Sequence, residues 1–67
     1  MASFTIHLMG QHQPITIDLP CASIDELACR SGTERFLVGH MTEADEDGVC
    51  RRVMIATSRI QCAIETD

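Results

Sequence analysis

Apolar and polar residues alternate with a period of two near both ends of this chain and with a helical period in one stretch between. "FTIHL" sets Phe4, Ile6 and Leu8 on one face against Thr5 and His7, and "ITIDL" sets Ile15, Ile17 and Leu19 against Thr16 and Asp18. Such alternation marks half-buried strands, because successive side chains leave a strand on opposite faces. The intervening "MGQHQP" holds a glycine and a proline, so the two strands are predicted to form a hairpin. Pairing Leu8 with Ile15, Ile6 with Ile17 and Phe4 with Leu19 puts every apolar residue on one face, and that register is expected.

After Pro20 the period changes. Ser23 followed by Glu26 is a capping-box signature, Asp25 and Glu26 suit the positive end of a helix dipole, and Ile24, Leu27 and Ala28 recur at helical spacing. Gly32 is placed to end the helix. "SIDELACRSG", residues 23–32, is therefore predicted as a helix of about two turns, too short to stand alone and packed on the sheet through Ile24 and Leu27. "RFLVGHMTE" and "VCRRVMIAT" read as strands flanking an acidic segment, and "RIQCAIE" as a last alternating strand after a corner at Thr57-Ser58. Residues 36–38 and 53–56 are apolar at successive positions, which predicts central, doubly covered or barrel-closing strands. The expectation is a single domain over residues 1–67 of class α+β, mainly β. It comprises a five-stranded curved antiparallel sheet or small barrel with one short helix, in the order ββαβββ.

Residues 35–65 resemble the Sm-like family of SH3-like small β-barrels. "FLVGHMTEADEDG" is similar to the first segment of that family, with a mid-strand glycine (Gly39) and an aspartate (Asp45) at the following turn. "VMIATSRIQCAIE" is similar to the second, an apolar strand, a tight corner and a short closing strand. A mid-strand glycine has its own physical reason, since a sharply bent strand needs a position without Cβ. The resemblance implies a small barrel and ring-forming oligomers. It does not carry over the family's RNA-binding pocket, because no asparagine follows Asp45 and "ATSRI" lacks the Arg-Gly or Lys-Gly segment that completes it. The order of elements also differs, since here a hairpin precedes the helix.

Composition narrows the function classes. A chain of 67 residues buries only about 60% of its unfolded surface, so stability is marginal unless association or a staple helps. Phe4 and Phe36 are the only aromatics, which leaves no platform for stacking bases. Ten acids face five bases for a net charge of −5, a balance that repels phosphate backbones and anionic membranes. All five bases are arginines, so a local patch of Arg35, Arg51, Arg52 and Arg59 is the form an RNA-binding alternative would take. No apolar run approaches the ~18 residues of a membrane span. "MASFTIHLMGQ" lacks the positive region of a secretory signal. Cys21, Cys29, Cys50 and Cys62 form no C-x-x-C pair. These features predict a cytoplasmic, compact bacterial protein whose cysteines are reduced, small, half-buried hydrophobes.

Three chemistries compete for the remaining polar residues. In "EADEDGVCRR", Glu43, Asp45, Asp47 and Gly48 fall at positions 1, 3, 5 and 6 of a calcium loop, but position 12, which needs a bidentate glutamate, is Met54. The stretch is better explained as a hairpin tip turning at Asp47-Gly48, with Glu43 opposite Arg51 across a bulge at Gly48. His7, His12 and His40 with the four cysteines lack the spacing of zinc signatures. Cys50 and His40 are expected near one another on adjacent strands, but without a third orienting group or a cleft. No catalytic residue, metal or cofactor is assigned. The expected function is that of a non-catalytic interaction module or regulator, self-associating as a homo-oligomer or binding a protein partner. Its charged surface would comprise Glu43, Asp45, Glu46, Asp47, Arg51, Arg52 and Arg59.

Overall fold

The computed structural model of this chain describes residues 2–66. Its elements follow the predicted order ββαβββ: β1 (Ala2–Leu8), β2 (Ile15–Leu19), α1 (Ile24–Thr33), β3 (Phe36–Met41), β4 (Arg52–Ala56) and β5 (Ile60–Glu65). The five strands form one antiparallel sheet in the spatial order β4-β3-β2-β1-β5. β4 and β5 thus lie on opposite edges, yet only a 3₁₀ turn, Thr57–Arg59, joins them. Such a turn rises about 6 Å, whereas four strand spacings in a flat sheet would separate the edges by roughly 19 Å. The sheet must therefore be strongly rolled. Its edges approach without pairing, so it stays an open curved sheet and is not a closed barrel.

The first hairpin forms in a different register from the one alternation suggests. Phe4 faces Ile17, Ile6 faces Ile15 and Ala2 faces Leu19, a slip of two residues from the expected pairing. A slip of two keeps every side chain on its face, so the apolar pattern cannot distinguish the two registers. The loop and the neighbouring strand decide instead. The observed register leaves residues 9–14 free to turn through Gly10, whose φ is +83°, and keeps Pro14 out of the ladder. Leu8 pairs with Ile60 of β5, and the Ala2 N–H donates to the Cys21 carbonyl (3.1 Å).

Phe4, Ile6, Ile17, Leu19, Leu37 and Ile55 project from the concave face into a core completed by Cys21 and by Leu27 of α1. Each large apolar side chain so buried contributes ~1.5–3 kcal/mol. The helix begins as its signature predicts, with the Ser23 hydroxyl accepting from the Glu26 N–H (3.3 Å) and the Glu26 carboxylate accepting from the Ala22 N–H. Glu65 of β5 adds a further cap by accepting from the Ile24 N–H (2.5 Å). The helix does not stop at Gly32. It continues to Thr33, and Glu34 closes it by donating its N–H to the Arg30 carbonyl (2.8 Å) while its carboxylate accepts from Arg30 Nε (2.7 Å). Arg30 also donates to the Pro20 carbonyl (3.0 Å), which ties α1 to the end of β2.

Gly39 is where β3 passes closest against β2 among the described glycines. A Cβ built on it would collide with the Asp18 carbonyl oxygen and stand 2.9 Å from Leu19 Cδ2, so only hydrogen fits between β3 and β2. The two strands share few pairs, Ile17 with Met41 and Asp18 with His40, before β3 continues towards its pairing with β4.

Candidate functional site

The acidic stretch is organised by one carboxylate. Asp45 Oδ1 accepts from the N–H groups of Asp47 (2.9 Å) and Val49 (3.1 Å), and Asp45 Oδ2 accepts from Arg51 Nε. The Gly48 N–H donates to the Asp45 carbonyl (2.9 Å), and Gly48 takes a φ of +78°. Aspartate at the first and glycine at the fourth position of such a turn is a favoured arrangement, and a left-handed residue after the turn bulges the hairpin. Arg51, whose Nη2 also approaches Asp47 (3.4 Å), and the two N–H groups hold the Asp45 carboxyl below the ordinary aspartate range. Oxygens taken up by N–H donors are not arranged as calcium ligands.

The flanking strands are shorter than expected because this turn captures their backbone. β3 ends at Met41 and β4 starts at Arg52, with the Met41 N–H donating to the Arg51 carbonyl (2.8 Å). Arg51 reaches Asp45 and Asp47 rather than the expected Glu43. Among the described residues Glu43 and Glu46 make no ion pair, and both are exposed. The predicted charged residues therefore separate into groups. Asp45, Asp47 and Arg51 neutralise one another within the loop, Glu43 and Glu46 point charge outward, and Arg52 opens β4 opposite His40. Arg59 lies in the corner beyond the far end of β4, where the Arg35 carbonyl accepts from the Thr57 N–H (2.9 Å) and the Arg59 carbonyl accepts from the Met9 N–H (2.7 Å). Arg51 and Arg52 thus stand at one end of the β3–β4 hairpin, and Arg35 and Arg59 beyond the other.

The convex face supplies what the charge pattern did not. Val38 faces Met54 and Phe36 faces Ala56 across β3 and β4 on that face. Phe36, Val38 and Met54 are 51%, 42% and 63% exposed. Both strands were expected to be central, doubly covered or barrel-closing, but β4 is an unclosed edge, and α1 packs against β5 and the 3₁₀ corner. The consecutive apolar residues were the signal. Among the described residues, Phe36, Val38 and Met54 are left exposed on the convex face. At the open end of the hairpin, Arg35, Phe36, Ala56, Thr57 and Ser58 line a shallow concavity of ≈ 320 Å³.

Comparison with family models, curated proteins and solved structures finds no match. The chemistry must be argued from the residues alone. A polar row crosses the convex face through Ser3, Asp18, His40 and Arg52. Its carboxylate sits between the hydroxyl and the imidazole, and Ser3 Oγ donates to Asp18 Oδ1. In a nucleophilic triad the histidine occupies the middle position, so this order does not activate Ser3. Cys50 lies in the loop and not opposite His40, whose cross-strand neighbour on β4 is Arg52. The cysteine and histidine that do oppose one another are Cys62 and His7, on the β5 edge. Among the described residues no three His, Cys, Asp or Glu side chains converge as a metal site. Nor is any helix there long and apolar enough to cross a membrane.

Proposed function

We propose that this protein is a non-catalytic, self-associating interaction module, acting through protein contacts made by the β3–β4 hairpin. The observation that carries this reading is the contiguous exposed cluster of Phe36, Val38 and Met54 at the edge of a sheet with no second layer over it. Exposed apolar clusters of this kind mark protein contacts, and a small domain gains most from burying them against another chain. The unpaired edges of β4 and β5 offer further backbone donors and acceptors to a neighbour. The split of the four arginines between two ends of the hairpin favours this reading over an RNA-binding one, which needs them on a common surface.

Sedimentation equilibrium from 10 to 500 μM tests it. The wild-type chain is expected to assemble, and Met54→Asp to weaken assembly about tenfold or more. The same variant should leave the circular dichroism spectrum unchanged, because Met54 faces solvent. A wild-type chain that stays monomeric over the whole range overturns the proposal.

A further inference from the structure

Two features of the hairpin complement each other and cannot meet within one molecule. At one end, the loop presents the exposed Val49 beside Glu43 and Glu46, two carboxylates without an ion pair among the described residues. At the other end, the concavity is lined by the apolar Phe36 and Ala56 together with Arg35, Thr57 and Ser58. Arg59 follows one residue later. The acid next to Arg35 in sequence, Glu34, is already held by Arg30, and among the described residues neither Arg35 nor Arg59 makes an ion pair. β3 runs between the two ends, and its rise separates them by roughly 20 Å. The Asp45 network fixes the shape of the loop, so little conformational entropy remains to be lost when it docks.

We infer that the self-association is head-to-tail, the acidic β3–β4 loop of one copy docking into the Arg35-lined concavity beside Phe36 of the next. Val49 enters against Phe36 and Ala56, and Glu43 and Glu46 meet Arg35 and Arg59. This inference rests on the self-association proposed above and names its geometry. The contact is heterologous: each copy donates one surface and accepts on another, so assembly continues until a ring closes or a filament grows. It also sets the sign of the salt response. Copies carrying a net charge of −5 repel one another overall, so a purely apolar two-fold contact would strengthen as salt screens that repulsion. Opposite charges paired across the interface make added salt weaken it.

The test uses two charge-reversed chains, Arg35→Glu/Arg59→Glu and Glu43→Lys/Glu46→Lys, with circular dichroism to check that both are folded. All four side chains are exposed, so folding is expected to survive. Each variant alone should associate at least tenfold more weakly than wild type. A 1:1 mixture should regain association and grow beyond a dimer as alternating copies, because the acidic loop of the first variant fits the arginine concavity of the second and the lysine loop of the second fits the glutamate concavity of the first. Wild-type association should weaken several-fold between 50 and 500 mM NaCl. Variants that assemble like wild type, a mixture that stays monomeric or stops at a dimer, or association that strengthens with salt would each overturn the head-to-tail geometry. None of these results removes self-association itself, which falls only if the wild-type chain is monomeric.

Discussion

Asp45 carries more of the local structure than any other charged residue. Its carboxylate accepts from Arg51 and from the N–H groups of Val49 and Asp47, and these hold its pKa below the ordinary value. The folded-state value is depressed relative to the unfolded chain. The resulting stabilisation is therefore fully present above the unfolded value of about 4, and it is lost as pH falls through the lower folded value. Asp45→Asn should melt at a lower temperature than wild type at pH 7, and the gap should close in melts run below pH 4. A gap that stays constant down to pH 2.5 would show that charge has no part in it. This role was legible in part. Asp47-Gly48 correctly marked the turn and Gly48 the bulge, but the aspartate three places before Gly48 is the stronger signal.

At the scale of elements, two glycines have opposite roles, one in a helix and one in a strand. Gly39 lies where β3 passes against the Asp18 carbonyl, and Gly32 lies in the last turn of α1 with no atom within 4 Å of a built Cβ. Gly39→Ala should cost about 1–3 kcal/mol in urea unfolding, as overpacking of a close contact does. Gly32→Ala should stabilise by about 0.5–1 kcal/mol, since its backbone φ is not positive and alanine is the better helix former. Equal and small effects at both positions would contradict the close approach of β3 to β2. The strands and the helix start were readable from local pattern. The hairpin register was not, because alternation repeats every two residues and the loop decides between equivalent slips. Nor was the helix end, where the Arg30–Glu34 pair carries α1 past a glycine that could have stopped it.

For the molecule as a whole, the number and order of elements followed from periodicity, while coverage did not. Central, doubly covered or barrel-closing positions were inferred for β3 and β4 from consecutive apolar residues, but β4 is an edge and Phe36, Val38 and Met54 are exposed on one face. The cysteines show the same limit. They were expected to be half-buried, but only Cys21 is buried, and Cys29, Cys50 and Cys62 are exposed. The face a residue takes depends on where α1 settles, and a ten-residue helix can cover only part of a rolled sheet. In dilute solution a chromogenic thiol reagent should modify three cysteines rapidly and the fourth only on addition of denaturant. Four thiols reacting at one rate would mean that the core around Cys21 is open.

The rolled sheet also has a consequence for the order in which the chain can acquire structure. β1 is bordered on one side by β2, which follows it closely, and on the other by β5, the last strand. Phe4 pairs with Glu65, and the Thr66 N–H donates to the Ser3 carbonyl (3.1 Å). While the chain is still being synthesised, β1 and β2 can form a hairpin, but the seam along β1 stays open until residues 60–66 have left the ribosome. Non-local closure of this kind slows folding, and during that interval the free edge of β1 is available to any other nascent strand nearby.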